Sequence, residues 1–283
     1  MSEGNVRENA KKLSFKVFDK DEIPQISQWF ISLEGEGKNV GEPSLYLRFS
    51  GCFSAACKFC DTKFSWFKKQ GNPQINDDVL LQEIANEFKG RDINRMTITG
   101  GEPMHYMKNL FNTIKWINSS PKINIKDFGV ESNGNILRSE MALITLIKEF
   151  KKIKDLLNVT PVLTISPKLD PEDCYNNMLS QEEIDELYFQ VYRNIQRIFS
   201  FQVNFKFIWG ISEKQNEKVK EHIYKLKQMN FKTKHIFIMP FTPNDPMGSN
   251  YPLWNASKIA TANKAIELGV RYSPRIHIDG GLD

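Results

Sequence analysis

Short apolar runs, each sufficient for a buried strand, recur through this chain, and between them lie stretches whose apolar residues return every three or four positions. That alternation constrains the fold more than any other feature, because strand and helix in regular succession build a parallel sheet with helices packed outside it. SLYLRFS (44–50) and RMTIT (95–99) read as strands, the second running into Gly100-Gly101. Between them, Asn76-Asp77 can cap a helix carrying Leu80, Ile84 and Phe88, which Gly90 ends. A helix with Leu110, Phe111, Ile114 and Ile117 follows, then a strand FGVES (128–132), a helix over 141–157 and a strand VLTIS (162–166). Ser180 with Glu183 forms a capping box for a helix running to about Phe199. VNFKFIW (203–209) and HIFIMPF (235–241) add two strands, Ser257 opens a last helix closed by Gly269, and RIHI (275–278) reads as a short final strand.

The expected fold is therefore α/β, a partial or modified (β/α) barrel of about six parallel strands, with its chemistry at the carboxyl ends of those strands. Residues 1–25 read as a polar N-terminal extension and residues 26–283 as the barrel domain, lengthened around 135–200, where 168–180 looks like a loop. A chain of 283 residues, 40% hydrophobic, can bury one large core. Its formal charge of +4 comes from lysines mixed with acids, which suits solvated helix faces better than a phosphate track, so nucleic acid is not an expected partner. No run of eighteen apolar residues occurs and the first thirty residues lack a signal-like segment, so a cytoplasmic location without membrane contact is expected.

Four cysteines do not make a disulfide framework in so long a chain. Three of them, Cys52, Cys57 and Cys60, form a C-x4-C-x2-C run directly after the first predicted strand. Thiolates suit zinc or iron-sulfur clusters. A structural zinc site wants four ligands, and the remaining cysteine, Cys174, lies more than a hundred residues away. Three thiolates can instead hold three irons of a four-iron cluster and leave the fourth iron open to a substrate. On these residues alone both readings stand, the first as a zinc-stabilised nucleic-acid-binding module.

The cysteine run with Phe59 before its last thiol, followed at the next strand end by GGEP (100–103), resembles the radical S-adenosylmethionine enzymes. Within them the chain is most similar to the 7-carboxy-7-deazaguanine synthase family. That resemblance rests on SLEGEG (32–37), CDTK (60–63) with Trp66, TGGEP, ESNG (131–134), SPK (166–168) and RIHI, in family order from about residue 28 to 278. It implies a 4Fe-4S cluster on Cys52, Cys57 and Cys60, cofactor cleavage to a 5′-deoxyadenosyl radical, and Mg2+ at Thr62. It further implies contraction of 6-carboxy-5,6,7,8-tetrahydropterin to 7-carboxy-7-deazaguanine, with loss of ammonia, in deazapurine (queuosine-type) biosynthesis. Phe59, Asp61, Gly100, Gly101, Glu102, Ser132, Asn133, Ser166, Lys168 and Pro240 are the implied cofactor contacts. Leu33, Glu34, Glu36, Arg48, Thr99 and His277 are the implied substrate contacts. Arg48 also stands out unaided, since an arginine inside an apolar strand wants an anionic partner.

The family further implies an external electron donor such as flavodoxin or ferredoxin, and a homodimer. A glycyl-radical activase shares the cysteine run and GGEP but has no use for SLEGEG or the terminal HI. The chain departs from the family in two places: the family spaces its cysteines C-x3-C-x2-C, and it commonly has glutamine where Glu34 stands. A carboxylate only accepts hydrogen bonds where an amide also donates, so substrate preference would differ if that side chain faced the pterin.

Overall fold

Eight strands, hydrogen-bonded in the order in which the chain makes them, form one sheet in the computed structural model, which describes residues 16–52, 57–175, 177–198 and 200–282. β1 (Ile26–Leu33) lies antiparallel to β2 (Pro43–Phe49). From β2 onward every pairing is parallel: β3 (Arg95–Gly100), β4 (Asp127–Ser132), β5 (Val162–Ile165), β6 (Gln202–Trp209), β7 (Ile236–Pro240) and the two-residue β8 (Arg271–Tyr272). Among the described residues no ladder joins β8 to β1, so the barrel is partial.

The crossovers are α1 (Asp78–Glu87), α2 (Leu110–Ile117), α3 (Glu140–Leu157), α4 (Pro171–Tyr175), α5 (Gln181–Gln196), α6 (Glu213–Gln228) and α7 (Tyr251–Leu268), with a last turn, α8 (Ile276–Asp279). Their starts follow local chemistry. Asp77 accepts from the backbone of Val79 and Leu80, Ser139 from Ala142 and Ser212 from Gln215, while Ser180 and Glu183 complete the predicted capping box. Outward strand residues pack under these helices: Leu45, Leu47 and Phe49 of β2, Met96 and Ile98 of β3, and Phe128 of β4, whose ring meets Phe150 of α3 edge-on. Among the described residues no helix is long and apolar enough to cross a membrane.

Several expectations need correction. The six parallel strands expected are present as β2 to β7, and the sheet adds two that went unread, the antiparallel β1 and the very short β8. ISQWFISL mixes apolar and polar residues on both faces and gives no clear period of two. RIHI is a helical turn, not a strand: Gly280 N–H returns to Ile276 O at 2.8 Å, and Ile276 N–H bonds Gly35 O rather than a neighbouring strand. Four residues are too few to separate the two periods. The last long helix begins at Tyr251, not Ser257, with Pro252 in its first turn, where a missing N–H costs nothing. Ser257 lies inside that helix and donates to Phe241 O.

Residues 168–180 contain a short helix, α4, rather than only loop. The 135–200 region as a whole supplies β5 and the helices either side of it. At the N-terminus, residues 1–15 of the predicted extension lie outside the described residues. The part that is described is docked: Phe18 is buried and its N–H bonds His105 O at 2.7 Å. The predicted helix end at Phe199 also lies outside the described residues.

Candidate functional site

The period of two that packs one strand face under the helices turns the other face inward, and here that face is polar. Tyr46 and Arg48 of β2, Thr99 of β3, Glu131 of β4 and Lys206 of β6 all line one cavity of about 540 Å³, within the range of small-molecule sites. Every site residue predicted from the sequence lines this cavity, including Leu33, Pro240, Thr62 and the three cysteines. Arg48 lies over the Phe30 ring, 5.1 Å from its centroid, and Phe30 stacks on Tyr46. Its Nε is buried and finds no acceptor among the described residues.

The turns after β2 and β3 are stitched together. Gly101 N–H bonds Phe49 O, and Glu102 N–H bonds Gly51 O, both at 2.8 Å, which draws the GGEP turn against the start of the cysteine loop. A Cβ on Gly100, whose φ is +116°, would sit 2.3 Å from Phe49 O, and one on Gly101 would sit 2.4 Å from Gly51 O. These glycines thus let two strand ends approach each other, as well as bordering the cavity. Gly100→Ala is expected to cost about 1–3 kcal/mol through the forced φ and clash, read as a lower midpoint of urea unfolding; an unchanged midpoint would contradict this packing.

Glu102 does not project into solvent. Its carboxylate accepts from Ser132 Oγ (2.7 Å), Asn133 N–H (2.8 Å) and Met104 N–H (3.0 Å), joining the GGEP and ESNG turns. Burial raises its pKa, against the pull of those donors. The next turn continues the stitching: Ser166 N–H bonds Ser132 O, Ser166 Oγ donates to Lys206 O, and Lys168 N–H donates to the Tyr188 hydroxyl. The Lys168 ammonium lies 5.9 Å from the Phe59 ring centroid.

Cys60 accepts from the indole Nε1–H of Trp66 at 3.3 Å and lies 3.6 Å from Thr62 Oγ1. The backbone of Trp66 also receives Cys52 N–H at 3.0 Å, so the 63–66 turn wraps the first and last thiols of the run. Cys174, remote in sequence, interacts with Cys57, whose thiol pKa it pushes up while its own is lowered, and Lys58 N–H bonds Asp173 O at 2.8 Å. Among the described residues no three of Cys, His, Asp or Glu are already gathered as a metal-ligand group. Three soft donors on one cavity loop, with glycine turns beside them, nonetheless suit a thiolate-held iron cluster.

A chain of charges crosses the opposite wall. Lys206, 3% exposed, donates to Glu36 (2.5 Å) and Glu131 (2.8 Å), and Arg275 donates to the other oxygen of Glu36 (2.7 Å), to Asp61 (2.7 Å) and to Thr242 (2.6 Å). Burial opposes the charge of Glu36, but Lys206 and Arg275 outweigh it and hold the carboxyl well below its ordinary range. For Lys206, burial is likewise outweighed by Glu131 and Glu36, which keep the ammonium charged. His277 is pushed towards the neutral form by burial, with Glu36 opposing, and its Nδ1 finds no partner among the described residues. A Cβ on Gly35 would fall 1.7 Å from that Nδ1, so this glycine makes room for the ring.

Because its carboxyl pKa is depressed, Glu36 contributes stability above its unfolded pKa that is lost as pH falls through the folded value. Lys206→Met removes one depressing charge, so the folded pKa rises and the acid-side loss of stability is expected to begin at higher pH. Urea midpoints measured across pH check this; superimposable acid limbs would contradict it.

Glu34 is placed differently from its expectation. Its carboxylate accepts from Ser44 Oγ (3.1 Å), Tyr46 OH (2.8 Å), Arg95 Nε (2.9 Å) and Thr97 Oγ1, at the amino-terminal end of β2 and β3. Although the residue borders the cavity, its oxygens are engaged by the barrel wall. The departure from glutamine is thus matched by the buried guanidinium of Arg95. Sequence reasoning missed Arg95, Lys206, Glu131 and Arg275. A lysine alternating with Phe205 and Phe207 in VNFKFIW was the available signal.

Residues 33–179 match the family described as 4Fe-4S single cluster domain. A 7-carboxy-7-deazaguanine synthase of Hyperthermus butylicus is 26% identical over 256 residues, covering 90% of this chain and 92% of that protein. The protein of that name from Rickettsia prowazekii is 36% identical over 121 residues, which span 41% of this chain and 46% of its own length. Among solved structures, QueE from Escherichia coli is similar in fold, with a TM-score of 0.52 and 19% identity over 93% of this chain and 96% of that one.

Proposed function

Because the chain belongs to the family of 4Fe-4S single cluster domains, we propose that it is a radical S-adenosylmethionine lyase that contracts 6-carboxy-5,6,7,8-tetrahydropterin to 7-carboxy-7-deazaguanine with loss of ammonia, in queuosine-type biosynthesis. Cys52, Cys57 and Cys60 would hold the cluster. Phe59, Asp61, Gly100, Gly101, Glu102, Ser132, Asn133, Ser166, Lys168 and Pro240 would surround the methionine and nucleoside parts of the cofactor. When bound, cluster and cofactor supply the one-electron chemistry that removes a hydrogen atom from the substrate carbon bearing the carboxylate.

The observation that carries the substrate assignment is Arg48: a guanidinium inside the cavity whose buried Nε finds no acceptor among the described residues. A carboxylate on the substrate satisfies it, in the bidentate geometry that arginine favours. Across the cavity, Glu36 is kept ionised and accepts from the paired N–H groups of a guanidine-like pterin edge, with Lys206 and Arg275 fixing its position. Leu33 and Glu34 form the wall beside it, Thr99 lies next to Arg48 in the sheet register, and neutral His277 offers a ring nitrogen to the substrate. Thr62 would offer its hydroxyl to Mg2+, an ion that takes few protein ligands and would supply positive charge at that end of the cavity. A homodimer in the cytoplasm, served by an external one-electron donor, completes the proposal, as does the division into an N-terminal extension and a barrel domain.

Anaerobic binding of 6-carboxytetrahydropterin and of the same pterin without its carboxylate, to the cluster- and cofactor-loaded protein, tests the assignment. The carboxylated ligand is expected to bind about 10- to 100-fold more tightly, the worth of a charged hydrogen-bonded pair, and Arg48→Met to erase the difference. Equal affinities for the two pterins in the unaltered protein would sink it.

A further inference from the structure

The lengthened region between β4 and β6 supplies α4 and α5, and each turns one tyrosine hydroxyl back towards the strand ends. Tyr175 ends α4, Tyr188 lies midway along α5, and both are buried. The Tyr188 hydroxyl accepts Lys168 N–H at 2.7 Å, donates to Asn135 Oδ1 at 2.6 Å and stands 3.1 Å from Asn133 O. Tyr175 donates to the same Asn135 oxygen at 3.1 Å and lies 3.3 Å from the Tyr188 hydroxyl. One buried oxygen thus joins the turn that carries Ser132 and Asn133 to the turn that carries Lys168. The two turns also share a backbone bond, Ser166 N–H to Ser132 O, at the strand ends; past it, among the described residues, Tyr188 spans them. Tyr192, one helical turn further along α5, is equally buried, but its hydroxyl pairs with His222 Nδ1 of α6 at 2.8 Å and so faces the helix layer instead.

We infer that Tyr188 is a positioning residue for cofactor binding: its hydroxyl fixes the separation of the ESNG and SPK turns, whose polar groups would hold S-adenosylmethionine. The inference rests on the cofactor assignment proposed above and extends it to a residue outside the cavity wall. Tyr188 does not line the cavity and acts through the two turns that do. A phenol suits this place because it both donates and accepts, so a single side chain satisfies a backbone N–H on one turn and an amide oxygen on the other. Burial pushes its pKa up, which keeps the hydroxyl protonated and both roles intact. Phenylalanine would keep the packing of the ring but leave Lys168 N–H buried without its acceptor, so the SPK turn is expected to shift towards another partner.

Equilibrium binding of S-adenosylmethionine to the anaerobic, cluster-loaded protein tests this, with Tyr192→Phe as the matched control: the same helix, the same burial and one hydroxyl lost. Tyr188→Phe is expected to weaken binding about tenfold or more, the scale of one buried hydrogen bond, with iron content unchanged. Tyr192→Phe is expected to lower the urea midpoint by a similar amount and leave the affinity as it was. In the unaltered, cofactor-free protein the Lys168 amide is expected to exchange slowly with deuterium, a readout that needs no variant. Unchanged affinity in Tyr188→Phe, equal weakening in both variants, or a freely exchanging Lys168 amide overturns the positioning role alone. An unaltered, fully iron-loaded chain that binds no S-adenosylmethionine overturns the cofactor assignment and the inference with it.

Discussion

Arg95→Ala is expected to destabilise the fold by about 3–5 kcal/mol, because it strands the Glu34 carboxylate in the barrel wall without its counter-charge. Both side chains are 6% exposed, and Arg95 also pairs with Asp127 on the next strand, so one guanidinium ties the 34–37 loop to β3 and β4. The loss would be read from the urea midpoint with its slope held constant. Glu34→Gln/Arg95→Met, which removes both charges, is expected to retain more stability than Arg95→Ala alone, since the cost lies in the unpaired charge. A double variant as unstable as the single one would show that Arg95 acts through packing instead.

Cys60→Ala should reduce iron loading sharply and bring cofactor cleavage to background. It removes one of three thiols and also the acceptor of the Trp66 indole, which orders the turn around Cys52. Iron per chain and 5′-deoxyadenosine formed with dithionite are the readouts. Cys174→Ser is the informative companion. The thiol shifts the titration of Cys57, an interaction that raises the question of a fourth ligand. With three thiolates sufficient for an open-iron cluster, this variant should keep its iron and its cleavage activity. Loss of metal in Cys174→Ser, with zinc rather than iron bound in the unaltered chain, would favour the four-thiolate zinc site instead.

The alternation of strands and helices was legible because each segment was long enough to show its period, as α3 and β6 are. What escaped were elements whose length or position hides the period: β1, which pairs antiparallel ahead of the βα repeat; β8, only two residues long; and RIHI, four residues that suit a strand or a helical turn equally. The site was legible where chemistry clusters in sequence, as in Cys52 to Thr62 and Gly100 to Glu102. It was hidden where partners meet only through the sheet. Arg95 and Glu34 are joined across β3 and the 34–37 loop, and Arg275 gathers Glu36, Asp61 and Thr242 from three separate segments. Glu34 shows the limit most plainly: its motif position suggests a ligand contact, yet its oxygens go to four donors of the barrel wall, one of them an arginine that no local pattern links to it.

The most direct measurement is anaerobic turnover of the iron-reconstituted protein with S-adenosylmethionine, dithionite, Mg2+ and 6-carboxytetrahydropterin, with products identified by mass. Formation of 7-carboxy-7-deazaguanine with release of ammonia, dependent on Cys60, is the predicted result. Accumulation of 5′-deoxyadenosine without that product would keep the cluster chemistry and contradict the substrate, and full iron loading with neither product would contradict the radical reaction itself.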